Sequence, residues 1–352
     1  MKDKVVEATR FVVRDSNGKL RAVLGVRWND AVTLELFDRD EKLRASLGVG
    51  ADGGSGLEFR DGDGKLRLEV GVEAEGWPFL QCIDENEKVR AALEMVSDGS
   101  VGLDLRDREE KVRLTLTLAQ GRSPQLCFLR EEGAACAKLA WRPDGSVGLD
   151  LHDQDGSVRA SLGVRPDESL GLDLRDRDGS IRAALGVRPD DAVGLDLHDR
   201  EGKLRADMGV GADELPFCQL LDRHEKVRAG LAMMPDGSVD LDLSDQDEKV
   251  RAGLSLQPDG SPSLDLRDQD EKARVVLGLR PGGSPFQQLL DGDEKVRAEF
   301  SLEDNGLVAL DLCDQDEGVG VRLSLRPGGA RGLTVRNAEG EAVWPAPGDQ
   351  PG

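Results

Sequence analysis

The residues of this chain that could do chemistry are carboxylates, and they recur in turns: Asp61-Gly62-Asp63-Gly64, Asp153-Gln154-Asp155-Gly156 and Asp176-Arg177-Asp178-Gly179. Alternating aspartates ahead of a glycine resemble the opening of a calcium loop, where a hard cation takes oxygen ligands. The third acidic position and the closing bidentate Glu of such a loop are absent, and Lys or Ser follows instead. An aspartate that caps its own turn accounts for the pattern without a metal. The three histidines, His152, His198 and His224, stand in no metal-ligand or base-nucleophile spacing, and His152 and His198 read as solvated surface residues. With no Tyr in the chain, general acid-base work would rest on carboxylates alone. The run Gly48-Val49-Gly50-Ala51-Asp52-Gly53 matches a dinucleotide fingerprint by letters, but a strand pattern follows where that motif requires a helix. Cys127 and Cys136 fall in one repeat and are too few to hold a metal. No catalytic residue, cofactor site or metal site is assigned, and the chain is not expected to be an enzyme.

The elements that carry these turns are set by a repeat. Arginines at Arg21, Arg44, Arg67, Arg90 and Arg113, and again from Arg159 to Arg297, are spaced by 23 residues or by whole multiples of 23. Fifteen copies run over 11–344 without insertion or deletion, which is the signature of an array. Positions within a copy are counted here from 0 at Leu172. Apolar residues stand at positions 0 and 2 (Leu172, Leu174) and at 9, 11, 13 and 15 (Ile181, Ala183, Leu185, Val187), a period of two that predicts two half-buried strands. Turn signals separate them: the aspartate turn at positions 4 to 7, and Pro-Asp-Gly at 17 to 19, as in Pro143-Asp144-Gly145 and Pro235-Asp236-Gly237. Glu replaces Gly at position 7 in about half the copies, which argues against a strict type I′ turn there.

Parity places position 0 opposite 13 and position 2 opposite 11, so that both apolar sets share one face. The expected fold is all-β, with fifteen two-strand repeats forming a curled antiparallel meander array over 11–344. A lead-in at 1–10 and a flexible tail at 345–352 flank it. The alternative is a parallel β-solenoid. Charge favours the meander, because Asp at position 4 in 13 of 15 copies and Arg at position 10 in 12 of 15 would stack like on like in a solenoid, about 4.8 Å apart. An apolar face of this kind is expected to curl onto its own core or to find a partner, since exposing it forfeits on the order of 10 kcal/mol per copy.

Composition bounds the partners. A formal net charge of -22, with Lys and Arg dispersed, argues against nucleic acid and against a polybasic lipid-binding stripe. No stretch is long and apolar enough for membrane insertion. The five cysteines occupy five different repeat positions, which is not a disulfide framework, so a reducing, cytoplasmic setting is expected.

Three copies depart from the rest together. Phe79, Gln81 and Ile83, then Phe217, Gln219 and Leu221, then Phe286, Gln288 and Leu290 replace the usual Gly, Asp and Arg or His on the outward side, each after a proline. Phe79, Ile83, Phe217, Leu221, Phe286 and Leu290 are therefore the candidate interface. The alternative is that they mark places where the array folds back on itself, or duplicated blocks.

The pattern Leu-x-Leu-x-Asp-x-x-Gly-x-x-Arg-Ala-x-Leu-Gly-Val-x-Pro-Asp-Gly, seen from Leu149 and again from Leu241 with small departures, resembles a group of uncharacterised bacterial proteins built from tandem β-repeats of about this length. The resemblance implies an array and carries no activity. The expected function is a non-enzymatic scaffold or protein-interaction array that binds a protein partner or itself. The alternatives are a fibre or surface-structure component, or a calcium-responsive module.

Overall fold

The computed structural model describes residues 6–344 except 120, 122, 143 and 338; residues 1–5, the tail at 345–352 and Pro143 of one expected turn lie outside the described residues. Thirty strands follow one another, two per copy, and no helix occurs among the described residues. The chain divides into two compact units. Met1–Gly179 carries β1 (Arg10–Arg14) to β15 (Leu170–Arg175), and Ser180–Gly352 carries β16 (Ile181–Val187) to β30 (Ala342–Trp344).

Within each unit the strands pair antiparallel with their neighbours in sequence, and each touches no other strand. The expected meander is the observed topology, and the solenoid is set aside. Between β3 (Val32–Phe37) and β4 (Leu43–Val49), Leu34 faces Leu47 and Leu36 faces Ala45, the register that parity requires. Each unit is an open, single-layered sheet.

Both turns of a copy share one construction. The Glu41 N–H donates to the Asp38 carbonyl at 3.1 Å and the Asp38 N–H to the Lys42 carbonyl at 2.9 Å, a type I turn followed by a left-handed residue. Asp38 Oδ1 accepts the N–H groups of Asp40 and Lys42 at 2.9 and 3.0 Å, which is the capping role inferred from its position. The Pro-Asp-Gly end repeats this geometry, with Gly237 N–H on the Met234 carbonyl at 2.9 Å. Position 7 takes positive φ whichever residue fills it: 84° at Gly64, 59° at Glu41.

A bulge in each copy whose hairpin lies within one unit corrects one expectation. Opposite Phe37 stands Leu43, while the next pair is Leu36 with Ala45, so Arg44 is an extra residue in the ladder. Residues directly opposite share a face, which puts position 9 with position 3 rather than with positions 11, 13 and 15. The apolar set is therefore split. Positions 0, 2, 11, 13, 15 and 21 form one face, and positions 1, 3, 9, 12, 14 and 22 form the other.

The second face is the more sheltered. Ala92, Ser301 and Ala309 there are at most 4% exposed, whereas Leu47, Leu220 and Leu323 on the leucine face are 52 to 54% exposed. Of the two expected fates of the leucines, burial on the array's own core or cover by a partner, the first is not met inside either unit, because among the described residues no second layer of the same unit lies against either face. Glycine at position 14 lets the paired backbones lean together on the sheltered side. A Cβ at Gly209 would meet the Val193 carbonyl oxygen at 2.1 Å and the Gly194 Cα at 3.1 Å.

Candidate interaction faces

Three kinds of side-chain link bind successive aspartate turns. Between β2 (Leu20–Val26) and β3 the ladder starts at Ala22, so the Leu20 N–H has no main-chain acceptor on that side. Glu41 of the next turn reaches back and accepts it at 2.7 Å. The same bond recurs from Leu204 to Glu225 at 3.1 Å, from Ala273 to Glu294 at 3.0 Å and from Val296 to Glu317 at 3.0 Å. Lysines at position 8 donate to the next turn, as Lys42 does to the Gly62 carbonyl at 2.7 Å and Lys226 to the Gln246 carbonyl at 2.7 Å. The bulged arginines grip their own turn or the next strand: Arg67 Nε lies 2.7 Å from Asp61 Oδ2, and Arg90 Nε 2.9 Å from the Arg106 carbonyl. The leading aspartates Asp61 and Asp153 of the calcium-like pattern are thus engaged by N–H and guanidinium donors.

This geometry explains why Glu tolerates a left-handed backbone. Glu294, at φ 61°, accepts an otherwise unpaired N–H, which offsets a conformational cost of about 1 kcal/mol. Glu294→Ala is expected to accelerate amide exchange at Ala273 roughly fivefold to tenfold, because it keeps the strain and loses the bond. Glu294→Gly, which relieves the strain, should leave global stability close to that of the unmodified chain. Equal exchange in all three proteins would show that the carboxylate holds nothing.

The leucine face is distinguished by what it lacks. From Val32 to Leu325 the six positions that form it hold Leu, Val, Ala, Met, Phe, Pro, Cys and Trp, with Ser55 and Gln287 as the polar exceptions and no charged residue. Charge is confined to the turns and the sheltered face. There Arg142 pairs with Asp150 at 2.5 Å and Arg322 takes Asp311 in two bonds of 2.7 Å. Carboxylates also meet in pairs on that face, Glu58 opposite Glu69 and Asp196 opposite Asp207. Burial, reinforced by the facing carboxylate, pushes Glu69 and Asp207 above the usual range. Each pair comes from a single hairpin, on a sheet face that no second layer of the same unit covers. Among the described residues no group of three or more His, Cys, Asp or Glu gathers as a metal site. His152 and His198 also lie on this face and are half-buried rather than fully solvated, each with Nδ1 shut from solvent and without a partner.

The six candidate interface residues fall on the sheltered face, in three separate patches. Phe79 and Ile83 lie on β7 (Pro78–Ile83), Phe217 and Leu221 on β19 (Pro216–Leu221), and Phe286 and Leu290 on β25 (Pro285–Leu290). All six are half-buried. Each Phe faces a position 14 residue across the ladder: Phe217 faces Gly209, Phe79 faces Glu94 and Gly71, and Phe286 faces Gly278. Phe286 also lies under Arg280, 5.1 Å from ring centre to guanidinium carbon. The ring of Phe286 sits 3.2 Å from where a Gly278 Cβ would stand, so it covers backbone that glycine leaves bare. Ile83, Leu221 and Leu290 pair with Val89, Val227 and Val296 beyond the bulge.

No family model and no curated protein matches the chain. Among solved structures, the TCP10 domain of Danio rerio CPAP in complex with a STIL peptide is 14% identical, with 69% of this chain and 97% of that chain covered and a TM-score of 0.28. The Drosophila melanogaster SAS-4 TCP domain with a proline-rich motif of Ana2 is also 14% identical, with coverage of 54% and 90% and the same TM-score of 0.28. The Photorhabdus luminescens Tc holotoxin pore is 8% identical, with 93% of this chain and 24% of that one covered and a TM-score of 0.16. Overlaps this low carry no argument about function. No helix among the described residues is long and apolar enough to cross a membrane.

Proposed function

We propose that the chain is a non-enzymatic protein-interaction array whose working surface is the leucine face. The observation that supports this reading is a repeated, uncharged apolar surface with no layer of the same unit against it. Monomeric proteins rarely present contiguous apolar patches beyond a few hundred Å², and larger ones mark contact sites. Rigidity suits the role: the turn-to-turn links hold the hairpins in register, so the face is presented without reorganisation on binding. The sheltered face, with its paired charges and glycine contacts, is what keeps the strands in line.

A photo-crosslinking amino acid at Leu241 tests the proposal in cells that express the chain. Protein adducts are expected at Leu241 and not at Gln246, which lies in an exposed turn. Adduct-free chains at both positions would reject an interaction role for this face.

A further inference from the structure

We infer that the occupant of the leucine face is a second copy of this chain, packed sheet on sheet. The inference rests on the reading of that face as an interaction surface and names what covers it. Two features select the partner.

The first is periodicity. Leucines at positions 0 and 13 face each other on paired strands, as Leu34 does Leu47, Leu162 does Leu172 and Leu241 does Leu254. They recur in most copies, as a lattice whose spacing is set by strand separation, about 4.8 Å, and by residue rise along the strand. Sheets that pack face to face interdigitate such rows at a separation of about 10 Å. A surface that matches the lattice over the length of a unit must carry the same repeat, and a second copy does so by construction. A small globular partner would leave most of it in water.

The second feature is area. Leu24, Leu105, Leu139, Leu185, Leu277 and Leu312 are typical of the face, each 43 to 49% exposed. Such side chains, about four per copy, offer on the order of 2,000 Å² of apolar surface per unit, the scale of an obligate rather than a transient interface. The rim argues against a lipid surface as the occupant. The turns that border the face are rich in aspartate and glutamate, and their position 8 lysines are bonded to neighbouring turns, as Lys65 is to the Glu85 carbonyl at 2.6 Å. An anionic bilayer requires an excess of basic groups there.

Cys82, an exposed thiol at position 2 of β7, projects from this face and reports on it. The full chain is examined by sedimentation at micromolar concentration, with labelling of Cys82 by a bulky maleimide. The expected result is a dimer or a multiple of it with Cys82 protected. Leu34→Asp, Leu47→Asp, Leu241→Asp and Leu254→Asp together should give a folded monomer in which Cys82 labels roughly tenfold faster. If that variant loses its strand signal, threonine at the same four positions replaces aspartate, since it is neutral and suits a strand. A monomeric unmodified chain with reactive Cys82 overturns the inference while leaving the face open to another protein. A monomer with protected Cys82 overturns it too, because the face would be covered within one chain. Flotation with phosphatidylcholine vesicles in place of self-association would assign the face to lipid. The crosslinking experiment at Leu241 separates these failures from failure of the interaction role itself.

Discussion

Below about pH 4 the chain is expected to lose its strand signal in one steep transition, after a shallow rise in stability between neutral pH and about pH 5. The loss comes from the turns. Asp15, Asp38, Asp61, Asp84, Asp107, Asp153, Asp199, Asp222, Asp245, Asp268 and Asp291 all hold carboxyls below the ordinary range. At Asp38 the Lys42 N–H is the largest cause, and it prevails over partial withdrawal from water with help from the Asp40 N–H and the Arg44 charge. At Asp61 and Asp245 withdrawal from water is the largest single influence and pushes upward, but the N–H donors and the bulged arginine together overcome it. A carboxyl depressed in the folded state stabilises above its unfolded pKa, and that contribution disappears as pH falls through the folded value. These groups repeat, so the turns fail in one pH window. Once carboxylates are protonated, 47 lysines and arginines and 3 histidines repel one another along the array.

The shallow rise has the opposite sign and a different origin. Burial, and then the neighbouring carboxylates, raise Glu69, Asp207 and Asp242 on the sheltered face. Such groups oppose folding while ionised and cease to do so as pH falls through their folded values. Circular dichroism melts across the range check both limbs. Asp242→Asn should gain at neutral pH part of what the unmodified chain gains on mild acidification. Strand content that persists at pH 2 would show that the capped aspartates do not hold the turns.

Much of this architecture is legible in the sequence, and the exceptions have physical reasons. Alternation and turn length place Leu34 opposite Leu47 because a period of two leaves one parity that keeps the leucines together. The same count fails at position 9. The bulge inserts Arg44 into the ladder, and neither Leu43 nor Arg44 has a residue type that announces it. Glutamate at position 7 reads as an obstacle to a tight turn until the unpaired N–H that it serves is seen, and that donor belongs to the preceding copy. The aromatic substitutions are visible as strands with apolar residues on both sides. That Phe217 faces Gly209 follows from register, but the covering of bare backbone by a ring depends on how closely the strands approach. The uncovered leucine face is a different case: hydrophobic pattern marks a surface to be buried without encoding what buries it, and here no layer of the same unit does so.

Excision of residues 241–263, one complete copy, is expected to leave a folded array, whereas deletion of the single residue Asp242 is expected to disrupt it. Within each unit a strand contacts its sequence neighbours alone, so stability is a sum of hairpin terms and nearest-neighbour terms. Removal of 23 residues joins Asp240 to Leu264 and restores the same alternation, the same bulge and the same turn-to-turn links. Its melting temperature should fall by no more than about 3 °C, with strand signal reduced in proportion to length. Deletion of Asp242 makes Leu241 and Leu243 adjacent. One of them must then enter the charged face, or the strand must slip and carry every later side chain to the wrong side. A loss of about 10 °C or more follows, with exchange protection lost from β21 (Val239–Ser244) and β22 (Val250–Leu256). Comparable melting of the two variants would mean that face identity does not govern the fold. Collapse of the 23-residue excision would mean that the copies are coupled beyond their neighbours.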